Sequence, residues 1–248
     1  MERIIRSELA KEGCVRTDTQ VTVDGLRDEL RSAEDRRLVL EGVSWETYQR
    51  LSHEIGETRG IRLSFANGVL EIMAPDPGHE IPVDVLEDVV KTSADTMGLD
   101  WLNIKASQLD HPDHESGGQP DACFYFTEAT TLNASETKID AIIHPPELVI
   151  EVDRTSPSKW KDLHYARIGV PEFWRYDKGA LRILRLEGQE YVEELRSVRF
   201  PWLSGDRITL VVKEARTPGT SPGAARRAFT TWAQKHFAVW SAEQRENP

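Results

Sequence analysis

The stretch Leu148-Val149-Ile150-Glu151-Val152 is the most strand-like run of the chain, and it carries a carboxylate near its middle. Residues two apart in a strand share a face, so Glu147, Val149, Glu151 and Asp153 point one way and Leu148, Ile150 and Val152 the other. That alternation puts Glu151 inside the predicted sheet. Burying a carboxylate among Val and Ile is costly unless it is paired, protonated or bound to a cation. An edge strand with one wet face is the plainer alternative. Asp121 adds a second carboxylate, at the mouth of another predicted strand, Ala122-Cys123-Phe124-Tyr125-Phe126. Two carboxylates on adjacent strands are usual ligands for magnesium, which takes one or two of them plus waters. An ion held that way activates water and clamps a phosphate. Such a pair repels itself without the ion, so neutralising either member is expected to leave stability unharmed.

Outward from this strand, Ser156-Pro157 read as N-cap and first residue of a helix ending near Gly169, and Pro171-Glu172-Phe173-Trp174-Arg175-Tyr176-Asp177 returns as a strand. Residues 181–186 and 191–195, joined through Gly188, predict a hairpin, and 208–212 a last strand. Upstream, Ser44 caps a helix over 45–54, with Tyr48, Leu51 and Ile55 on one face. The runs 61–65 and 69–73 flank Asn67-Gly68, a pair suited to the positive φ angles of a tight hairpin. Ile81, Val85, Val89 and Val90 then recur at helical spacing up to Met97-Gly98. Residues 101–109 read as extended and 110–118 as loop. The chain divides into a charge-rich N-terminal extension (1–37), a domain (38–213), and a tail (214–248) with a linker over 217–223 and a helix over 224–240.

Composition narrows the classes further. The chain has 248 residues, with 31 Lys and Arg against 42 Asp and Glu, a net charge of −11, which argues against a uniformly basic surface that wraps nucleic acid or an anionic membrane. No apolar run reaches the roughly 18 residues of a membrane span. The opening Met1-Glu2-Arg3-Ile4-Ile5-Arg6 lacks the apolar core of a secretory signal, and Cys14 and Cys123 form no CxxC pair. A cytoplasmic protein without structural zinc is expected. Charge is uneven: Glu71 to Asp121 holds 12 acidic and 2 basic residues, whereas Glu151 to Arg185 holds 8 basic and 5 acidic. Arg154, Lys159 and Arg175 in the basic segment are candidates for contact with nucleic-acid phosphates, against the plainer reading of a solvated face. Asp110, His111, Asp113, His114 and Glu115 offer donors for a transition metal without the fixed spacing of a helical motif, so a solvated loop is the plainer reading.

Taken in order, Gln119-Pro120-Asp121, Glu147 to Val152, Ser156-Pro157-Ser158, Lys161, Tyr165 and Gly169-Val170-Pro171-Glu172-Phe173-Trp174 resemble the Uma-two family, bacterial restriction-endonuclease-like proteins of the PD-(D/E)XK nuclease superfamily. Asn67-Gly68, Met73-Ala74-Pro75 and His79 fall where that family has a strand-turn-strand, a Met-Ser-Pro and a histidine, so the resemblance runs from about 44 to about 203. It implies an α/β fold with a restriction-endonuclease-like mixed central sheet flanked by helices. Asp121 and Glu151 become metal ligands, the Val152 carbonyl a third, and Mg2+ or Mn2+ the cofactor. The implied reaction is metal-dependent phosphodiester hydrolysis, endonucleolytic on DNA, by a protein without membrane contact and with a homodimer among its possible assemblies.

One motif position departs from the superfamily: the lysine expected two residues after the glutamate is Asp153. In the Uma-two pattern the lysine comes from the following helix, four residues before a tyrosine, here Lys161 and Tyr165. Lys159 competes for the role, but the two lysines lie about 200° apart on a helix, so only one can face the site. His79 and Tyr165 are supporting candidates, and Glu71, Glu80 or Glu87 could supply an extra acidic group. Two rival classes remain: a non-catalytic binding or regulatory module that keeps the fold, and a hydrolase of small phosphate esters.

Overall fold

Asn67 and Gly68 adopt φ angles of 52° and 79°, the left-handed values that a two-residue hairpin turn requires. The turn joins β2 (Arg62–Ala66) to β3 (Val69–Met73) in antiparallel register. The computed structural model describes residues 37–55, 61–74, 77–105, 107–132, 140–153 and 159–246. The extension before residue 37, Arg154 and the Ser156-Pro157 cap lie outside the described residues, as does the side chain of Lys159. The chain falls into two compact units, one drawn from Met1–Asp76 and Gln108–Gln119, the other from Pro77–Ser107 and Pro120–Pro248.

Among its described residues the first unit holds a five-stranded antiparallel sheet and one α-helix. Its strand order is β1 (Arg37–Glu41), β3, β2, β6 (Ser116–Gly118) and β5 (Leu109–His111). Helix α1 (Trp45–Ile55) starts where Ser44 Oγ accepts the Thr47 N–H at 3.2 Å, and its Tyr48, Leu51 and Ile55 meet Leu40, Leu63, Phe65, Leu70 and Ile72 in one core. Residues 110–118, expected as loop, are instead two short strands around a 3₁₀ turn, Pro112–His114.

Glycine makes that ladder possible. The Asp110 carboxylate accepts from the Tyr48 hydroxyl at 2.8 Å and from Gln108 Nε2 at 2.8 Å, beneath the backbone of Gly117. Burial, then the nearby Asp110 charge, pushes the Tyr48 hydroxyl well above its ordinary pKa, so it stays a donor. A Cβ on Gly117 would overlap both Asp110 Oδ1 and the Tyr48 hydroxyl. Gly117→Ala is therefore expected to lower stability by about 2 kcal/mol, the usual scale of overpacking. Urea unfolding checks this, and an unchanged midpoint would mean the ladder yields without cost.

The second unit holds a six-stranded mixed sheet in the order β11 (Glu190–Glu194), β10 (Ala180–Glu187), β9 (Glu172–Asp177), β8 (Leu148–Asp153), β7 (Ala122–Tyr125) and β4 (Leu102–Asn103). Only β8 and β9 run parallel, and a parallel pair needs a crossover, here containing α3 (Lys159–Ile168). One face of the sheet offers Leu148, Ile150 and Val152 with Phe124, Trp174 and Tyr176. They share a core with Leu86, Val89 and Val90 of α2 (Pro77–Met97), Ile208, Val211 and Val212 of α4 (Gly205–Ala215) and Phe229 of α5 (Pro222–Glu246). The other face holds Val149, Glu151 and Asp153.

The expected strand at 208–212 is helical. Ser204 Oγ caps it by accepting the Arg207 N–H at 3.3 Å, and buried Ile208, Val211, Val212 and Ala215 recur three, four and seven residues on, as a helix stripe demands. The mixed α/β class matches expectation, although the Asn67-Gly68 hairpin belongs to an antiparallel sheet distinct from the one carrying Asp121 and Glu151. Among the described residues no helix is long and apolar enough to cross a membrane.

Candidate active site

The register of β7 against β8 places Ala122 opposite Ile150, so Asp121, one residue ahead of β7, reaches the level of Glu151. Its backbone N–H donates to the Ile150 carbonyl at 3.1 Å, and its Oδ2 accepts the Val152 N–H at 2.7 Å. Asp121 thus grips β8 on both sides of Glu151. Both residues are buried, at 3% and 1% exposure. His79, in the first turn of α2, brings Nε2 to 3.1 Å from Asp121 Oδ2 and Nδ1 to 3.4 Å from Glu80 Oε1. A carboxylate only accepts, so this ring holds Asp121 by donation.

Glu151 is met from the crossover helix. Lys161 Nζ donates to Glu151 Oε2 at 2.7 Å, and the Tyr165 hydroxyl donates to Glu151 Oε1. Residues four apart on a helix share a face, which lets both groups reach one carboxylate. Burial, reinforced by the Glu151 charge and this hydrogen bond, drives the Tyr165 hydroxyl far above its ordinary pKa, so it remains protonated. Lys161 is itself buried, at 4% exposure. Against the expectation of a self-repelling pair, both carboxylates have cationic or donor partners: Lys161 on Glu151 and His79 on Asp121.

Arg175 departs from its expected role. It lies opposite Glu151 in the parallel register, is 3% exposed, and does not present its charge to solvent phosphates. Its Nε lies 3.1 Å from Asp153 Oδ2, one guanidinium nitrogen lies 2.6 Å from Asp162 Oδ1, and the group sits over the Phe173 ring. Sequence reasoning missed this bridge. Strand alternation, which puts Glu151 and Asp153 on one face, was the available signal, but the pairing of β8 with β9 was needed to bring Arg175 to them.

Glu71 and Glu87 are both buried. Glu87 is buried on α2 and accepts from Lys91 at 2.7 Å, with Lys105 at 4.0 Å. Glu71 is buried on β3 of the first unit, in register with Val39 and Ser64. In the acidic and histidine-bearing stretch at 110–115, Asp110 accepts from Tyr48 and Gln108, and the His111 and His114 ring centroids lie 4.4 Å apart. Among the described residues no three His, Cys, Asp or Glu side chains converge into a ready-made cation cage.

The mixed α/β sheet thus carries two buried carboxylates side by side, Glu151 on β8 and Asp121 just ahead of β7, with the crossover helix α3 meeting Glu151. The chain belongs to the Uma2 family, whose description reads "Putative restriction endonuclease" and whose model matches residues 45–209. That span takes in Asp121, Glu151, Lys161, Tyr165 and Arg175. Among solved structures, the chain is similar to a "putative nuclease belonging to DUF820" from Anabaena variabilis, at 14% identity and a TM-score of 0.48, over 68% of this chain and 99% of that one. No curated protein matches the chain.

Proposed function

We propose that the protein is a divalent-metal-dependent endonuclease that hydrolyses phosphodiester bonds in DNA, with Asp121 and Glu151 as carboxylate ligands and Lys161 as the charge stabiliser. The observation that carries this reading is a buried mid-strand glutamate held by a buried lysine at 2.7 Å, beside a second carboxylate that grips the same strand. Family membership supports nuclease chemistry.

The donor set fits the ion. Two hard carboxylates, with no third His, Cys, Asp or Glu converging on them among the described residues, suit Mg2+ or Mn2+, which keep several waters, better than a transition metal, and the Val152 carbonyl is the third ligand of this reading. When bound, such an ion lowers the pKa of a water and neutralises phosphate charge. The chain's own groups supply the rest. His79 and the Val152 N–H fix one Asp121 oxygen, and Tyr165 fixes one Glu151 oxygen. Lys161 places a preorganised positive charge in a water-poor site, where stabilisation of developing negative charge is strongest. With Arg175 turned inward, few phosphates are neutralised at this face, and DNA affinity should fall only shallowly with salt.

One observation favours the binding-module reading: Lys161 and Tyr165 on Glu151, and His79 on Asp121, already engage both carboxylates. Incubating the protein with plasmid DNA, single-stranded DNA and a chromogenic phosphodiester, in EDTA, Mg2+ or Mn2+, separates the readings. Plasmid cleavage only with metal is expected. Turnover of the chromogenic ester alone would assign a small-ester hydrolase, and binding without cleavage under every condition would assign the module.

A further inference from the structure

We infer that Arg175 is a positioning residue: it anchors α3 to the sheet so that Lys161 is held on Glu151. Resting on the proposed function for its catalytic consequence, this assigns a task to a buried cation that the reaction does not touch. Arg175 stands opposite Glu151 on the neighbouring strand, and its guanidinium bridges two carboxylates on different elements. Asp153, at the end of β8, lies 3.1 Å from Nε. Asp162, in the first turn of α3 and adjacent to Lys161 in sequence, lies 2.6 Å from a terminal nitrogen. One arm therefore holds the strand that carries Glu151 and the other holds the helix that carries Lys161.

The chemistry suits an anchor. A guanidinium at 3% exposure is tolerated only with close anionic partners, and breaking one such buried pair is strongly destabilising locally. Its guanidinium spreads one charge over nitrogens that reach both carboxylates at once, at 3.1 and 2.6 Å, which the single ammonium of a lysine cannot reproduce. The ring of Phe173 under the guanidinium, 4.9 Å from its carbon to the ring centroid, fixes the plane further. Lys161, on a flexible four-carbon stem, meets Glu151 reproducibly only if its backbone is held, and Asp162 is the neighbouring residue through which Arg175 does so.

The test uses the full-length protein and reads residue by residue, by mass spectrometry, the labelling of amines with an N-hydroxysuccinimide ester and of thiols with iodoacetamide. Cys123 is the internal control: it is fully buried on the same face of the sheet, opposite Val149. Arg175→Met is expected to raise Lys161 labelling about tenfold while Cys123 stays protected and exposed Lys213 and Lys235 are unchanged, the signature of local release rather than global opening. Asp162→Asn, which cuts only the half-exposed arm, should raise it about threefold, and Arg175→Lys should not restore the parent value. The rate of metal-dependent cleavage should fall in kcat, with KM little changed. Unchanged Lys161 labelling in Asp162→Asn, or Cys123 opening together with Lys161, would overturn the inference. If Arg175→Met does not fold, Asp162→Asn decides alone. Labelling that responds as expected in a protein that cleaves no substrate would leave the anchor standing and refute the nuclease reading instead.

Discussion

Lys161→Met is expected to lower the single-turnover rate of metal-dependent cleavage by about 100-fold or more, the usual effect of removing one preorganised charge stabiliser, while metal affinity changes little. The variant also leaves Glu151 buried with Tyr165 but no cation, which should cost about 3 to 5 kcal/mol of stability, so rates must be read on the folded fraction. Replacing both partners, Lys161→Met with Glu151→Leu, should recover most of that stability without activity, because two apolar groups leave no stranded charge. Lys159→Ala should change the rate far less. Equal small effects at the two lysines would sink the helix-lysine mechanism, and a larger one at Lys159 would move the role there.

Asp121→Asn and Glu151→Gln should each reduce cleavage in Mg2+ or Mn2+ to background and abolish Mn2+ binding measured by calorimetry, since an amide cannot replace an anionic ligand of a hard cation. The two are expected to differ from the usual relief of a repelling ligand pair. Glu151→Gln leaves the Lys161 ammonium buried against a neutral amide, and chemical denaturation should show a loss of about 3 kcal/mol. A higher midpoint for Glu151→Gln would contradict the pairing seen between Lys161 and Glu151. Residual metal-dependent turnover in either variant would remove that carboxylate from the proposed ligand set.

Much of the fold was legible because its signals are local. Alternation in residues 148–152, the Asn67-Gly68 turn and the helical recurrence along 81–97 each sit within one element, and each element formed where its pattern lies. The failures came where local signals are degenerate. Ile208-Thr209-Leu210-Val211-Val212 is apolar and β-branched enough for a strand, and only the wider stripe ending at Ala215 with the Ser204 cap marks a helix. Gly117-Gly118 suggested loop, yet Gly117 lies in a strand because a tyrosine hydroxyl and a carboxylate occupy the space of its side chain. At the candidate site, Asp121, Glu151, Lys161 and Tyr165 could be listed from sequence order, and the structure brings them together. The Asp153–Arg175–Asp162 bridge depends on the β8–β9 pairing, a long-range contact that no local pattern encodes, and so Arg175 was misread as a surface cation.

The parallel pairing of β8 and β9 has a consequence for where the charge beside Glu151 is encoded. A chain that leaves β8 and returns alongside it must cross the sheet, and here it carries α3 over the very face on which Glu151 stands. The cation beside that carboxylate is therefore encoded ten residues further along the chain, on the crossover helix, and not on the strand itself. Genome surveys that score residue spacing within the strand will pass over chains built this way, whereas those that ask for a basic residue anywhere on the crossover will recover them.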